Sequence, residues 1–272
     1  MSKKILISLS VIAGVIALVA GGTIAFFSDT ETSSGNTFTA GAIDLKVDNH
    51  CFYNGGECVC EKGRCEWKGG PYDGQECSCT WKLDDLDGHV FANFTDLKPG
   101  DHGEDTISFH VKGNKAWLCA KVTTTVDKDV DCTEPETEEE GANCAPDNDG
   151  ELDNYLMVFA WADDGDNIFE PKENETPLMT APVKIAEYVD KKFPIVDKNF
   201  NAFGPAGDPL EGGKDYHIGK AWCFGDMKVN LQTGEISCDG KNVKNDAQTD
   251  TLQLDVTFEA VQYRNNIDFT CQ

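Results

Sequence analysis

Polar and apolar residues alternate with a period of two along much of the chain. The clearest alternating runs are residues 42–47, 105–111 and 251–260. In the last run every second residue from Leu252 to Phe258 is apolar, so these side chains share one face of an extended chain. Each run therefore predicts a β-strand with one buried face, as in antiparallel sheets.

Polar turn signals separate these runs. They include KPGD at residues 98–101, GP at 204–205 and GG at 212–213. Many short strands joined by such turns predict an all-β fold, an antiparallel β-sandwich with a jelly-roll-like topology. The one predicted helix is short and lies within residues 181–192. No internal repeat or domain boundary interrupts residues 42–272, which we predict to form a single sandwich domain.

The chain begins differently, with a long apolar run that contains no charge. Lys3 and Lys4 precede this run, and the small residues Thr23 and Ala25 follow it. This order is typical of a secretory signal peptide, so we predict that residues 1–25 are removed on export. A retained anchor is the alternative, because about 20 apolar residues can span a bilayer. Cleavage would leave a secreted protein, in the extracellular matrix or at the cell surface, without a stable membrane anchor.

The rest of the chain is strongly acidic. The formal net charge is −25. Removal of the signal peptide, which contains two lysines, would make the net charge more negative. A field of this sign argues against nucleic acid and anionic lipid as partners and favours cations and basic partners.

The twelve cysteines all lie beyond the predicted cleavage point. An even number in an exported chain predicts disulfides. The candidates are Cys51, Cys58, Cys60, Cys65, Cys77, Cys79, Cys119, Cys132, Cys144, Cys223, Cys238 and Cys271. Six of them crowd into residues 51–79, a glycine-rich insertion with few apolar residues, which needs covalent staples to fold. Two C-x-C pairs in this insertion leave a thiolate metal site open as the alternative.

Sequence proximity suggests two pairings, and a third pair is what remains. Cys132 and Cys144 would bracket a glutamate-rich loop whose charges repel each other, and Cys223 and Cys238 would flank a hairpin. Cys119 and Cys271 would then join two strands.

Carboxylates recur around glycines in two acidic loops. The candidate ligands are Asp147, Asp149 and Asp153 in one loop and Asp163, Asp164, Asp166 and Glu170 in the other. Calcium prefers such hard oxygen ligands, so calcium is the one cofactor that the sequence indicates. Neither loop completes an EF-hand, and ordinary solvated turns remain the alternative.

Two N-glycosylation sequons occur, at Asn93 and Asn174. Asn93 lies within a predicted strand. Asn174 lies between two prolines and is therefore the better candidate for a surface position.

The stretch TIAFFSDTETSSGNTFTAGAIDLKV at residues 23–47, after a signal that ends in T-x-A, resembles the TasA/camelysin family of exported proteins. The segments DLKPGDHGEDTISFHV, WADDGDNIFE, GKAWCFGD and VTFEAVQYRNN are similar to segments of relatives in that family. The resemblance implies processing by a SipW-type signal peptidase. It also implies a jelly-roll subunit of extracellular, biofilm-matrix-type fibres, in which each N-terminus completes the sheet of a neighbouring copy.

Residues 26–41 have the composition that such a donor strand needs. The candidate donor residues are Phe26, Phe27, Thr30, Thr32, Thr37 and Phe38, and the segment contains no proline. An extended segment of this kind can add to an open sheet edge, and a contact between unlike surfaces propagates into a filament. The alternatives are a disordered tail or pairing within its own sheet, as in a monomeric surface adhesin.

The camelysin resemblance also raises a metallopeptidase as the alternative function. The five histidines form no H-E-x-x-H motif, and no G-x-S-x-G motif occurs. His89, His102 and His110 share a strand-rich region and could converge, although His110 points away from the apolar face of its strand. The sequence therefore predicts a structural protein rather than an enzyme.

Overall fold

The computed structural model describes residues 28–32, 44–94, 96–141 and 144–272. Within these ranges the chain forms fourteen strands and three short α-helices. The strands are β1 (Ser28–Thr32), β2 (Asp44–Tyr53), β3 (Gly56–Glu61), β4 (Arg64–Lys68), β5 (Trp81–Asp84), β6 (His102–Lys112), β7 (Ala116–Lys128), β8 (Leu156–Asp163), β9 (Val183–Lys184), β10 (Lys192–Val196), β11 (Lys214–Phe224), β12 (Asp226–Val229), β13 (Ile236–Asp239) and β14 (Thr251–Gln262). The helices are α1 (Glu134–Glu140), α2 (Leu152–Tyr155) and α3 (Ile185–Tyr188). In the described ranges, no helix has the length and apolar character needed to cross a membrane.

Two antiparallel sheets form the sandwich. The smaller sheet has the order β1-β14-β7-β10, and the larger has the order β4-β3-β2-β6-β11-β8-β9, with β5 beside β2. A two-stranded hairpin, β12-β13, stands apart. The main apolar core combines residues of both sheets, and the Phe109 ring of β6 lies 4.7 Å from the Phe258 ring of β14. The predicted all-β antiparallel sandwich is confirmed.

The period-two runs coincide with strands. Burial alternates as predicted along β2, but in β14 Leu252, Leu254 and Val256 are only half-buried, and the predicted face is buried from Phe258 onward. Leu45 and Val47 of β2 are fully buried, and so are Phe258 and Ala260 of β14. The central strand β6 differs because both of its faces are covered, so polar residues in it are buried as well. Among them, Asp105 is neutralised by Lys220, whose Nζ lies 2.8 Å from the carboxylate.

The helices depart from the prediction. The helical stretch predicted within residues 181–192 contains only the single turn α3. Helix α1 occupies the glutamate-rich segment that the sequence predicts as a loop. Its Glu136 side chain accepts a hydrogen bond from the Thr133 backbone N–H, and Pro135 lies in its first turn. This T-x-x-E pattern is a helix start signal that outweighs the repulsion between the glutamates.

Six disulfides use every cysteine. Three lie within residues 51–79 and join Cys51–Cys79, Cys58–Cys77 and Cys60–Cys65. The other three are Cys132–Cys144 and Cys223–Cys238, which sequence proximity suggested, and the remaining pair Cys119–Cys271. Because no cysteine is free, the alternative of a thiolate metal site has no ligands. The cysteine-rich segment adds β3 and β4 to the larger sheet and packs its own small core around Tyr53 and Trp67.

Candidate functional site

The N-terminal strand β1 lies at an edge of the smaller sheet. It pairs antiparallel with β14, in a register that runs from Ser28 opposite Val261 to Thr32 opposite Thr257. Of the predicted donor residues, Thr30 and Thr32 belong to β1. Phe26, Phe27, Thr37 and Phe38 lie outside the described residues. Within one chain, the described part of the segment thus pairs with its own sheet, which is the alternative that the sequence left open.

The strand that receives β1 is firmly held on its other side. Strand β14 pairs with β7 along its whole length, and its Phe258 side chain packs into the core. On the outer face, Glu259 forms an ion pair with Lys192 of β10. Strand β14 therefore presents an ordered edge to β1.

The second acidic loop gathers four carboxylates. Asp163, Asp164 and Asp166 each place one oxygen within 4.8 Å of the others and of Glu175. Asp163 is buried, and its oxygens accept hydrogen bonds from the Trp161 indole N–H at 3.0 Å and the Gly165 backbone N–H at 3.0 Å. These bonds fold the loop back over the end of β8.

Glu175 rather than Glu170 joins the described carboxylates of this loop. The backbone N–H groups of Glu170 and Asp164 donate to its two oxygens, at 2.5 Å and 3.2 Å. Burial, together with the charges of Asp163 and Asp164, raises the pKa of Glu175 to about 7 against the lowering effect of those two donors. No regular spacing in the sequence marks Glu175 as a ligand, because only the turn Pro171–Glu173 brings it back to the loop.

The first acidic loop does not gather its predicted ligands in this way. Asp147 and Asp149 are exposed, and an Asp147 oxygen accepts the Asp149 backbone N–H at 2.9 Å, as in an ordinary turn. Asp153 lies in helix α2, where burial and then the charges of Asp127 and Asp149 raise the pKa of its carboxyl, but the three predicted ligands form no described cluster at metal-ligand distances. Beside this loop, the structure instead brings together Asp129, Glu136 and Asp250, with one oxygen of each within 4.8 Å of the others.

The histidines take separate places and do not converge as the sequence suggested. His102 and His110 lie at opposite ends of β6, which are about 26 Å apart at the rise of a strand. His89 stacks on Trp81, with the ring centroids 4.8 Å apart. Other contacts include His50 with Glu57, His102 with the Gly100 carbonyl, His110 with Asp48 and Asp215, and His217 with Ser108.

Both sequon asparagines are exposed. Asn93 lies in an irregular stretch between β5 and β6, so its predicted position within a strand is wrong. Asn174 follows the turn Pro171–Glu173 in a left-handed conformation, with φ 71°.

Comparison with known protein families finds a similarity in the N-terminal part of the chain. Residues 1–55 match the family model described as Camelysin metallo-endopeptidase. This match covers the predicted signal peptide, β1 and β2 and stops before most of the sandwich. A search of curated proteins finds no match.

The description of that family implies a catalytic metal, so the described residues can be tested as ligands. Their three clusters at metal-ligand distances are the two carboxylate groups above and Cys51, Cys58 and Cys79, which are bonded in disulfides. Catalytic zinc sites in peptidases combine histidine with a carboxylate, and no histidine belongs to these clusters. The described residues therefore do not fit a zinc-peptidase centre.

Proposed function

We propose that this protein is an exported structural subunit of extracellular or cell-surface fibres, which polymerises when each copy donates its N-terminal strand to a neighbour. The observation that carries the proposal is the place of β1, alone on the outer edge of β14. The similarity of residues 1–55 to the camelysin model supports it, because β1 lies within that match.

The chain length between β1 and β2 permits such an exchange. Residues 33–43 connect the two strands, and eleven residues can span at most about 36–40 Å. The strand of one copy can thus occupy the same place on the next copy and make the contacts it makes within its own chain. An exchange of identical elements has a low cost, and a head-to-tail contact that does not close on itself builds a filament.

The other sheet edges are less suited to strand addition. Strand β10 carries Pro194 and a bulge, and β9 has only two residues. At the far edge of the larger sheet, β4 belongs to a hairpin closed by Cys60–Cys65. When β1 leaves, the edge of β14 is therefore the long regular edge that a neighbouring strand can use.

The remaining properties agree with an extracellular homopolymer. Six disulfides suit an oxidising compartment, and a net charge of −25 suits neither nucleic acid nor an anionic membrane. We propose the protein itself as partner, with a signal peptidase acting during export.

A camelysin-like metallopeptidase is the second candidate, favoured by the description of the matching family. Caseinolytic activity that persists in homogeneous protein and disappears with a chelator would establish it. A monomeric surface adhesin is a third candidate, since it would keep β1 in its own sheet as a single chain does.

Strand donation predicts a specific cross-link between two different variants. Thr32 lies opposite Thr257 in the register of β1 and β14, at a cross-strand spacing that suits a disulfide. We expect Thr32→Cys protein, mixed with Thr257→Cys protein under conditions that form fibres, to give disulfide-linked heterodimers on mild oxidation. The native cysteines are all paired, so the introduced thiols are the free ones. Non-reducing electrophoresis and negative-stain electron microscopy supply the readouts.

Gln253→Cys provides the matched control. Gln253 is exposed on the same strand but lies outside the register of β1. It should give no specific product with Thr32→Cys. Equal yields from both mixtures, or monodisperse particles that never cross-link, would count against donation and favour the adhesin.

A further inference from the structure

Three carboxylates meet where the two long strands of the smaller sheet come together. Asp129 directly follows β7, Asp250 directly precedes β14, and Glu136 reaches them from helix α1. The pairing of Lys128 with Thr251 sets Asp129 beside Asp250. One oxygen of each of the three carboxylates lies within 4.8 Å of the others.

Two of these carboxylates are deeply buried, and the cluster has oxygens without partners. Asp129 is 8% exposed and Glu136 is 1% exposed. The Oδ1 atoms of Asp129 and Asp250 are buried and accept no hydrogen bond, and the same is true of Asp127 and Asp246 nearby. A buried carboxylate oxygen without a donor is costly, so each one calls for a partner that the chain itself does not supply.

No cationic side chain in the described part of the chain offsets this charge. Asp129, Glu136 and Asp250 form no ion pair with any described residue. The buried Asp105, by contrast, forms an ion pair with Lys220. Burial and then the charges of Glu136 and Asp147 raise the pKa of Asp129. Burial, with Glu151 and Asp129 as carboxylate neighbours, raises the pKa of Asp250 to about 7 against two backbone donors.

The surrounding structure holds these carboxylates in place. Glu136 accepts from the Thr133 backbone N–H and, at 3.3 Å, from the Thr249 hydroxyl. The second oxygen of Asp250 accepts the Leu152 backbone N–H at 2.8 Å, which fixes the direction of its Oδ1. At Gly150, a Cβ would lie 2.9 Å from the Lys128 backbone carbonyl and 3.1 Å from the Asp250 carboxyl carbon, so only glycine fits in this space. The site is thus built by contacts from several elements.

The geometry points to a calcium site formed by Asp129, Glu136 and Asp250, separate from the loop of Asp163. Calcium binds oxygen at about 2.3–2.6 Å, so two ligands of one ion lie at most about 5 Å apart. The observed limit of 4.8 Å meets this condition. Backbone carbonyls and water complete the six to eight ligands that calcium takes.

Calcium bound there fastens three elements at one end of the smaller sheet. It joins the end of β7, helix α1 and the start of β14, and it neutralises charge that otherwise repels. Binding to the folded state alone raises its stability.

Calcium itself is the probe, used on the exported, disulfide-bonded protein. At a concentration 100 times its dissociation constant, we expect calcium to raise the melting temperature by about 5–10 °C. Glu136→Gln and Asp250→Asn keep the size of the side chain and should weaken calcium binding at least about tenfold in isothermal titration calorimetry. In a chelator, both variants should melt no lower than the wild type, because they remove like-charge repulsion.

Asp164→Asn/Asp166→Asn in the other acidic loop is the matched control and should keep this binding. The inference is overturned if calcium leaves the wild-type melting temperature unchanged. It is equally overturned if the control, rather than Glu136→Gln, abolishes the shift. A purely structural role for the three residues would instead lower the melting temperature equally with calcium and with chelator.

Discussion

Removal of residues 26–39 is expected to abolish fibre formation and to leave a folded, disulfide-bonded sandwich. The deletion takes away β1, whereas the described main core is built from Leu45 onward. It also leaves the edge of β14 open, with nothing to donate to a neighbour. Electron microscopy and sedimentation should show monomers at concentrations where the intact chain forms filaments.

A peptide of residues 26–41 provides the complementary control. It should bind the truncated protein at the edge of β14 and raise its melting temperature, while a peptide with the same composition in scrambled order should not. Filaments formed by the truncated chain would contradict the strand-donation proposal. Loss of folding on truncation would indicate that β1 is an integral strand of its own domain, as the adhesin alternative requires.

Replacement of both Cys119 and Cys271 by alanine is expected to cause the largest loss of stability. This disulfide spans 152 residues and both cysteines are buried. Constraint of so long a loop in the unfolded chain stabilises the fold by about 5 kcal/mol. Urea unfolding should report a decrease of that order in the free energy of unfolding.

The disulfide Cys60–Cys65 supplies the comparison, because it closes a separation of only 5 residues. Its double alanine variant should lose about 2 kcal/mol on the same argument. Equal losses from the two variants would contradict the loop-length explanation and point to local packing.

The sequence predicted those parts of the fold that depend on local patterns. Alternation located β2, β6 and β14, and it predicted the shared apolar face that ends at Phe258. Helix α1 was not predicted, because repulsion among its glutamates favours a loop, although Thr133 and Glu136 have the spacing of a capping box. The disulfide pairings within residues 51–79 could not be predicted from the sequence, since six cysteines allow 15 connectivities.

The acidic sites depend on contacts between distant parts of the chain, which no motif records. Asp129 and Asp250 become neighbours only through the register of β7 and β14. Glu175 reaches Asp163 only through an intervening turn. The exposed Asp147 and Asp149 were predicted as ligands because carboxylates alternate around a glycine there, and this local pattern does not distinguish a ligand from a solvated carboxylate.

The covalent link between β7 and the C-terminal end of the chain has a mechanical consequence. Cys119 lies opposite Glu259 of β14, and the chain that leaves β14 returns to Cys119 through Cys271. In the proposed fibre, tension would enter each subunit through β1 and β14, and this closed loop would keep β14 from peeling away from β7. Such a fibre would yield by sliding at the five paired residues of β1, so that subunits separate before they unravel and can join again when the load is released.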